Sequence, residues 1–433
     1  MLGSPGARRA YWAIASQGLD SASNFLLSVW VARSVAPREF GAFGLIYVAI
    51  TMGAMLSRSA ANMPMMISFA TSAERFTASL AADVMGTALA VALGLSTLFL
   101  IFGLIISGPL HAIALIAAAV TPAVLLQDCV CYLFFARQQA QLAVVNNVVW
   151  LGVQGVAFWL ATNAGHWHGA WIYLGLWGAA AYVAVGVSIM QLRAWPRLAH
   201  VQTWLTSHRS MISDLTVESL LMQGAQQGIV YVLALGVSLV GVAAFRATLV
   251  PLGLLRVFFN GLIPIGVSEG ALLFERRPES LLRMIRLWAA GGAVLNLAFG
   301  FALIAMPLRW GREFLGTSWN HAHPILLWMT LATAANAAIM PVQAGLRSLA
   351  ATRTAVKLRV PIVALQVAGV LGGVVGDGLR GGAIGYAAGS VLSAVLAHQV
   401  FDRTFRGLAR VPLPTAAAAQ LPWIAPEAAG GEL

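Results

Sequence analysis

The stretch ASLAADVMGTALAVALGLSTLFLIFGLI, residues 78–105, carries a single charged side chain, Asp83, among 28 positions. Beyond Leu89 its only hydroxyls are Ser96 and Thr97. At about 1.5 Å per residue such a helix outreaches the roughly 30 Å hydrocarbon layer of a bilayer. It has no polar face to offer water, so it reads as a membrane span. Similar stretches recur at 11–35, 40–66, 109–135, 140–163, 167–191, 212–238, 241–267, 281–306, 322–346, 354–376 and 379–401. The chain is therefore expected to be an all-α, polytopic membrane protein of about twelve transmembrane helices. Its composition agrees: 9% of residues are charged and mean hydropathy is +0.81, whereas soluble domains carry roughly 25% charge. Outside the spans nothing exceeds about 20 residues except the C-terminal tail, which leaves no room for a soluble catalytic domain.

A net charge of +11 could serve nucleic acid, but the placement of the basic residues argues for a topology signal instead. Of the 26 Lys and Arg, Arg58, Arg246 and Arg256 fall within spans, and Arg33, Arg38, Arg309, Arg312 and Arg380 fall on one side. The remaining eighteen, among them Arg75, Arg137, Arg193, Arg197 and Arg359, fall on the other. By the positive-inside rule both termini are cytoplasmic. Arg8 and Arg9 precede an apolar stretch that is too long for a signal peptide and holds Gln17, Asp20 and Asn24, so it reads as a retained first helix.

The longest inner loop, 193–210, divides the chain into a lobe at 1–192 and a lobe at 211–403, followed by a disordered cytoplasmic tail at 404–433. The lobes read as repeats. Arg58 and Asn62 of the second span correspond to Arg256 and Asn260 of the eighth, while Gly41 and Pro64 correspond to Gly241 and Pro264. Arg137 and Gln154 correspond to Arg347 and Gln366 in the same order along the chain. Six helices being an even number, the repeats lie parallel in the membrane, an arrangement that in transporters encloses a midplane substrate site.

Residues 17–47, QGLDSASNFLLSVWVARSVAPREFGAFGLIY, resemble the polysaccharide-export flippases of the multidrug/oligosaccharidyl-lipid/polysaccharide (MOP) superfamily. Gln17, Gly18, Asn24, Phe25, Ala32, Arg33, Phe40 and Gly41 carry the likeness. The resemblance implies two V-shaped lobes around a central cavity in the bacterial inner membrane, with the first, second, seventh and eighth helices lining it. It implies alternating access that carries an undecaprenyl-diphosphate-linked oligosaccharide from the cytoplasmic to the periplasmic leaflet, alongside glycosyltransferases and a polysaccharide polymerase. The related lipid II flippases have two further C-terminal helices, so an O-antigen or exopolysaccharide repeat unit is the expected substrate here. The nearest rival is a cation-coupled small-molecule exporter of the same superfamily. A membrane polymerase or ligase would need larger outer loops, and a non-transporting scaffold is a further alternative.

Charge at mid-membrane costs about 2.5–3.5 kcal/mol per residue, so the intramembrane arginines are expected to face the interior. Arg58 with Asn62 and Arg256 with Asn260, each pair four residues apart on one helical face, suit an anionic diphosphate. Arg246 suits either an exit-side contact or snorkelling to the interface. Gln223, Gln226 and Gln227 suit sugar hydroxyls or helix-to-helix bonding. Asp20, at a depth similar to Arg58, is either a coupling carboxylate or a simple partner of that arginine. Asp83, Asp128 and Glu218 read as hydrogen-bond partners within the bundle. Cys129 and Cys131, two apart, share no face, and His166, His168, His321 and His323 lack acidic or thiol neighbours, so neither a disulfide nor a metal site is expected. Trp167, Trp171, Trp310 and Trp319 read as an interfacial belt. No cofactor is implied.

A cysteine placed at Thr206 tests the topology: it should resist a membrane-impermeant maleimide applied from outside the cell, and labelling there would overturn the two-lobe arrangement.

Overall fold

The structure, a computed structural model, describes residues 5–71, 76–163, 169–220 and 224–409. Gln223, His166, Trp167, His168 and Arg75 lie outside them. All regular structure among the described residues is helical. The first six spans are α1 (Pro5–Ser34), α2 (Pro37–Ser57) with its continuation α3 (Met63–Thr71), α4 (Ala78–Ile105), α5 (Pro109–Ala136), α6 (Ala140–Asn163) and α7 (Ala170–Leu192). The segment expected as a loop at 193–210 instead holds the short helix α8 (Val201–Ser207), and α9 (Arg209–Ser219) begins inside it. The stretch expected as the seventh span, 212–238, holds most of α9 and α10 (Ala225–Gly236).

Then come α11 (Leu239–Arg276), α12 (Pro278–Ala305), two short helices α13 (Leu308–Leu315) and α14 (Ser318–Ala322), α15 (Leu326–Ser348) and α16 (Thr352–Ala409). Nine stretches among the described residues are long and apolar enough to cross a membrane. The last of these, in α16, is two helices, because Asp377 (φ −147°) and Gly378 (φ +52°) break the rod. Its arms return antiparallel: a Cβ on Gly369, Gly373 or Gly389 would strike the backbone of Gly385, Gly381 or Leu365 respectively. Glycine at these steps lets two helices touch main chain to main chain, as small residues do in membrane bundles. With α1 and the helices α9 and α10, the described residues accommodate the twelve expected spans.

Pro64 shapes the second span. Proline has no N–H and crowds the carbonyl four residues earlier, and α2 responds by widening into a π-helical turn over Arg58–Asn62, with the Met63 N–H reaching back to Arg58 O. The carbonyl of Ala60, freed by Pro64, accepts the indole N–H of Trp204 at 2.9 Å. Ser59 Oγ, in the same turn, lies 3.3 Å from Leu215 O and 3.0 Å from Ser219 Oγ on α9. The widened turn thus docks the segment that joins the two six-helix sets. Asp83 at the foot of α4 holds that segment too, through His200 at 3.1 Å and Arg197 at 3.7 Å, while Arg197 N–H donates to Ala82 O. Among the described residues the Asp83 carboxylate thus meets the connecting segment, not another span of the bundle.

At the opposite end the two sets close on each other. A Cβ on Gly41 would strike the Leu239 carbonyl, and one on Gly44 would strike the Arg246 side chain. Tyr231 Oη donates to Leu45 O at 3.1 Å. Gly316 (φ +61°), after α13, rests against Ala32 O and Arg33. Trp171 and Trp310 are exposed on the outer surface, but Trp319, expected in the same belt, is fully buried, with its indole against Gly311. The helix break after α13 turns α14 inward and takes Trp319 with it.

The Gly41→Val substitution should force this end apart. Spin labels on exposed Arg38 and Arg380 should show a longer distance distribution in the variant, and an unchanged distribution would mean that the Gly41 contact does not set closure.

Candidate functional site

A polar chamber opens between the two sets on the far side of this closure. Its first part, about 470 Å³, is walled by α1, α2, α5 and α6 and reaches Gln227 and Arg256 across the gap. Ser16, Asp20 and Asn24 stand four apart on α1, with Gln17 and Ser21 beside them, so one face of an apolar helix turns polar. The helix is anchored from behind by amides: Asn147 Nδ2 donates to Ser16 O at 2.8 Å, and Gln154 Nε2 donates to Ser23 O at 3.0 Å. Gln127 Nε2 donates to Asn147 Oδ1, and Asn146 Nδ2 to Gln127 Oε1.

Arg58 projects from the π-helical turn. Its Nε lies 2.9 and 3.1 Å from the two Asp128 carboxylate oxygens and its Nη2 lies 2.6 Å from Oδ1, a two-point grip. The Arg58 ion partner is thus Asp128 on α5 rather than Asp20, which corrects the alternative pairing expected from depth alone. Depth along the membrane cannot tell which of two facing helices stands within reach. Asn62 is fully buried and donates to Asp128 Oδ2 at 3.3 Å, so it braces the pair from behind instead of facing the chamber. Asp20 lines the chamber without an ion pair among the described residues; the Gln17 and Asn24 amides lie 3.5 Å from its Oδ2. Cys131 lines the same wall, while Cys129 is buried. Glu218 is exposed on α9.

A second part of about 500 Å³ continues along α1 toward Gln227 and Arg246. Arg246 does not snorkel. Its guanidinium carbon lies 4.8 Å from the Tyr47 ring centroid and 5.6 Å from that of Phe43, and Nη1 donates to Gly44 O at 3.3 Å. It spans from α11 to the aromatic face of α2, where a cation gains most from ring faces that are screened from water.

Arg256, one face of α11 further on, borders both the first part and a third, of about 240 Å³. It is exposed to these spaces, and no described carboxylate pairs with it. The Asn260 side chain and Gln226 lie outside the described side chains. In the third space stands Arg359, which was expected on the cytoplasmic side near the start of the 354–376 span. Because α16 starts at Thr352, this residue is two turns inside the helix. The available signal was its spacing of seven from buried Gln366, two helical turns along one face.

The sequence matches no protein-family model and no curated protein. Solved structures of like fold do exist. The lipid II flippase MurJ in an inward closed conformation superposes with a TM-score of 0.68 at 12% identity, over 92% of this chain and 90% of that one. A multidrug-resistance MATE family transporter of the MOP superfamily superposes in its inward-facing conformation with a TM-score of 0.64, at 15% identity over 90% and 95%. An outward-facing MATE gives 0.55 at 14% identity, over 94% and 98%. The chain has the MOP-type fold.

Removing Asp128 should strand the Arg58 charge. Loss of one partner of a buried pair costs about 3–5 kcal/mol, reduced to about 1–3 here by the opening of Arg58 to the chamber. Asp128→Asn should therefore lower folded yield and melting temperature, and Asp128→Asn with Arg58→Gln should restore both, while Asp20→Asn leaves them near wild type. Equal losses in the single and double variants would separate the pair from stability.

Proposed function

We propose that the protein is a MOP-type flippase that carries an amphiphile with an anionic head, an undecaprenyl-diphosphate-linked oligosaccharide, across a bacterial inner membrane from the cytoplasmic to the periplasmic leaflet. Both termini and the 193–210 segment lie on the cytoplasmic side, so the chamber opens inward and the Gly41 end is the periplasmic gate. The observation that carries the reading is the charge of the chamber. Its described walls hold four arginines, Arg58, Arg246, Arg256 and Arg359, against two carboxylates, Asp20 and Asp128. Asp128 is committed to Arg58, and Arg256 is left facing the space without a described acid. A chamber for cationic drugs would need the opposite balance. Arg256 and Arg58 then hold the diphosphate from opposite walls, with Gln227 and the amides of α1 turned to sugar hydroxyls and Arg246 near the exit. The arrangement of two helix sets closed at one end suits alternating access, and O-antigen or exopolysaccharide repeat units are the substrates that fit.

Asp20 supports a second reading. An intramembrane carboxylate with no ion partner among the described residues suits a cation-coupled exporter, and a coupling role for Asp20 is compatible with either substrate.

The test is flipping of a fluorescent undecaprenyl-diphosphate-linked oligosaccharide in proteoliposomes. A lost charged hydrogen bond costs about 1.5–3 kcal/mol, so Arg256→Ala should weaken substrate binding about tenfold to a hundredfold at unchanged folded yield, with Arg256→Lys intermediate. Wild-type flipping by Arg256→Ala, or Asp20-dependent export of ethidium with no lipid flipping, would transfer the protein to the exporter reading.

A further inference from the structure

The repeat relates the two lobes residue by residue, and at two positions near the chamber they differ in charge. The step of 210 that takes Arg137 to Arg347 takes Asp128 to Ala338, and the step of 212 that takes Gln154 to Gln366 takes Asn147 to Arg359. Where the first lobe places an acid opposite its arginine, the second places a methyl group. Where the first lobe places a neutral amide, the second places another arginine. Gln154 and Gln366 themselves keep equivalent roles: both are buried, and each ties its helix to a neighbour, Gln366 Nε2 donating to Asn336 Oδ1 at 2.8 Å.

The result is a pocket in the second lobe lined by two arginines, amides and hydroxyls, with no carboxylate in its described lining. Arg256 and Arg359 both line it. Arg359 Nη2 donates to Gln343 Oε1, while its Nε is buried with no hydrogen-bond partner among the described residues. Asn336 and Tyr386 complete the wall, joined by a hydrogen bond of 3.3 Å. No described carboxylate pairs with either arginine, although Arg58 in the equivalent lobe has one. Two like charges in a low-dielectric pocket repel, and an anion between them converts that repulsion into two attractions. The pocket, about 240 Å³, is smaller than the roughly 300–1,000 Å³ that encloses a drug-sized ligand, so it fits one charged group of a larger molecule.

We infer that this pocket is an anion subsite in which Arg359 and Arg256 together hold a phosphate or carboxylate group of the transported molecule. The inference rests on the flippase reading for the identity of that molecule. It assigns the firmest grip on the anion to the second lobe, since Arg58 is already neutralised in the first. A phosphate would come from the lipid diphosphate, and a carboxylate from an acidic sugar.

The test uses full-length protein in nanodiscs and measures binding of four probes: undecaprenyl diphosphate, undecaprenol, inorganic diphosphate and glucuronate. Arg359→Gln should weaken undecaprenyl diphosphate binding about tenfold to a hundredfold, leave undecaprenol unchanged, and be partly rescued in Arg359→Lys. Gln343→Glu places a carboxylate beside Arg359; it should raise the melting temperature and abolish anion binding together, an outcome that a purely structural arginine would not give. Stronger competition by inorganic diphosphate identifies a phosphate subsite, and stronger competition by glucuronate an acidic-sugar subsite. If Arg359→Gln and Gln343→Glu bind undecaprenyl diphosphate as wild type does, the subsite falls and the flippase reading stands. If the free anions bind through Arg359 but undecaprenyl diphosphate does not bind, the subsite stands and the lipid-linked substrate falls. Binding of no anionic probe by the wild-type protein would overturn both.

Discussion

A guanidinium inside a bilayer must find a counter-charge or face a polar space, and much of this bundle follows from how each arginine meets that demand. Arg58 meets it with Asp128, and the pair needs α5 beside α2 and Asn62 behind them. The widened turn at Arg58–Asn62 sets the direction from which the arginine leaves its helix, and that turn exists because Pro64 cannot donate to Ala60. One proline thereby influences both a wall of the chamber and the docking of Trp204 from the connecting segment. Arg246 meets the same demand with aromatic faces, and so ties the second helix set to the first near the closed end.

The spans were legible in the sequence because bilayer thickness imposes one length on every apolar helix; α4 and α6 begin and end at the expected residues. Buried amides also showed themselves, since Gln154 and Gln366 stand out in helices of alanine, valine and glycine. Partnership was not legible. Asp20 and Asp128 are both acids at moderate depth, and only the packing of α5 against α2 decides between them. Arg359 was missed for a different reason: a charged residue in the first turns of a span reads as turned to the cytoplasmic surface, and only the packing of α16 against α15 puts it in the chamber wall. Trp319 was lost to the same ambiguity, because an aromatic residue near a span end can belong to an interface or to a core.

The two lobes share a plan but not a chemistry. In the first, Gln127, Asn146 and Asn147 close a hydrogen-bond chain that ends on the α1 backbone. In the second, Gln366, Asn336, Ser390 and Tyr386 form a comparable chain, but an arginine stands where the first lobe has Asn147. The chamber therefore has one wall whose arginine is paired, Arg58 with Asp128, and one whose described arginines, Arg256 and Arg359, have no described carboxylate partner.

The polar face of α1 has a consequence for how the protein is made. Alone among the rods of the first set, α1 is not among the stretches apolar enough to count as a membrane span by composition. Ser21, Ser28, Gln17 and Asn24 find partners within α1, but Ser16 and Ser23 meet Asn147 and Gln154 on α6, 131 residues later in the chain. At translation rates of about 5–20 residues per second, that is several seconds of synthesis in which α1 exists without them. During that interval Ser16 and Ser23 lack the amide partners that α6 later brings. The polar face of α1 is thus completed across a long stretch of chain, by a helix made well after it.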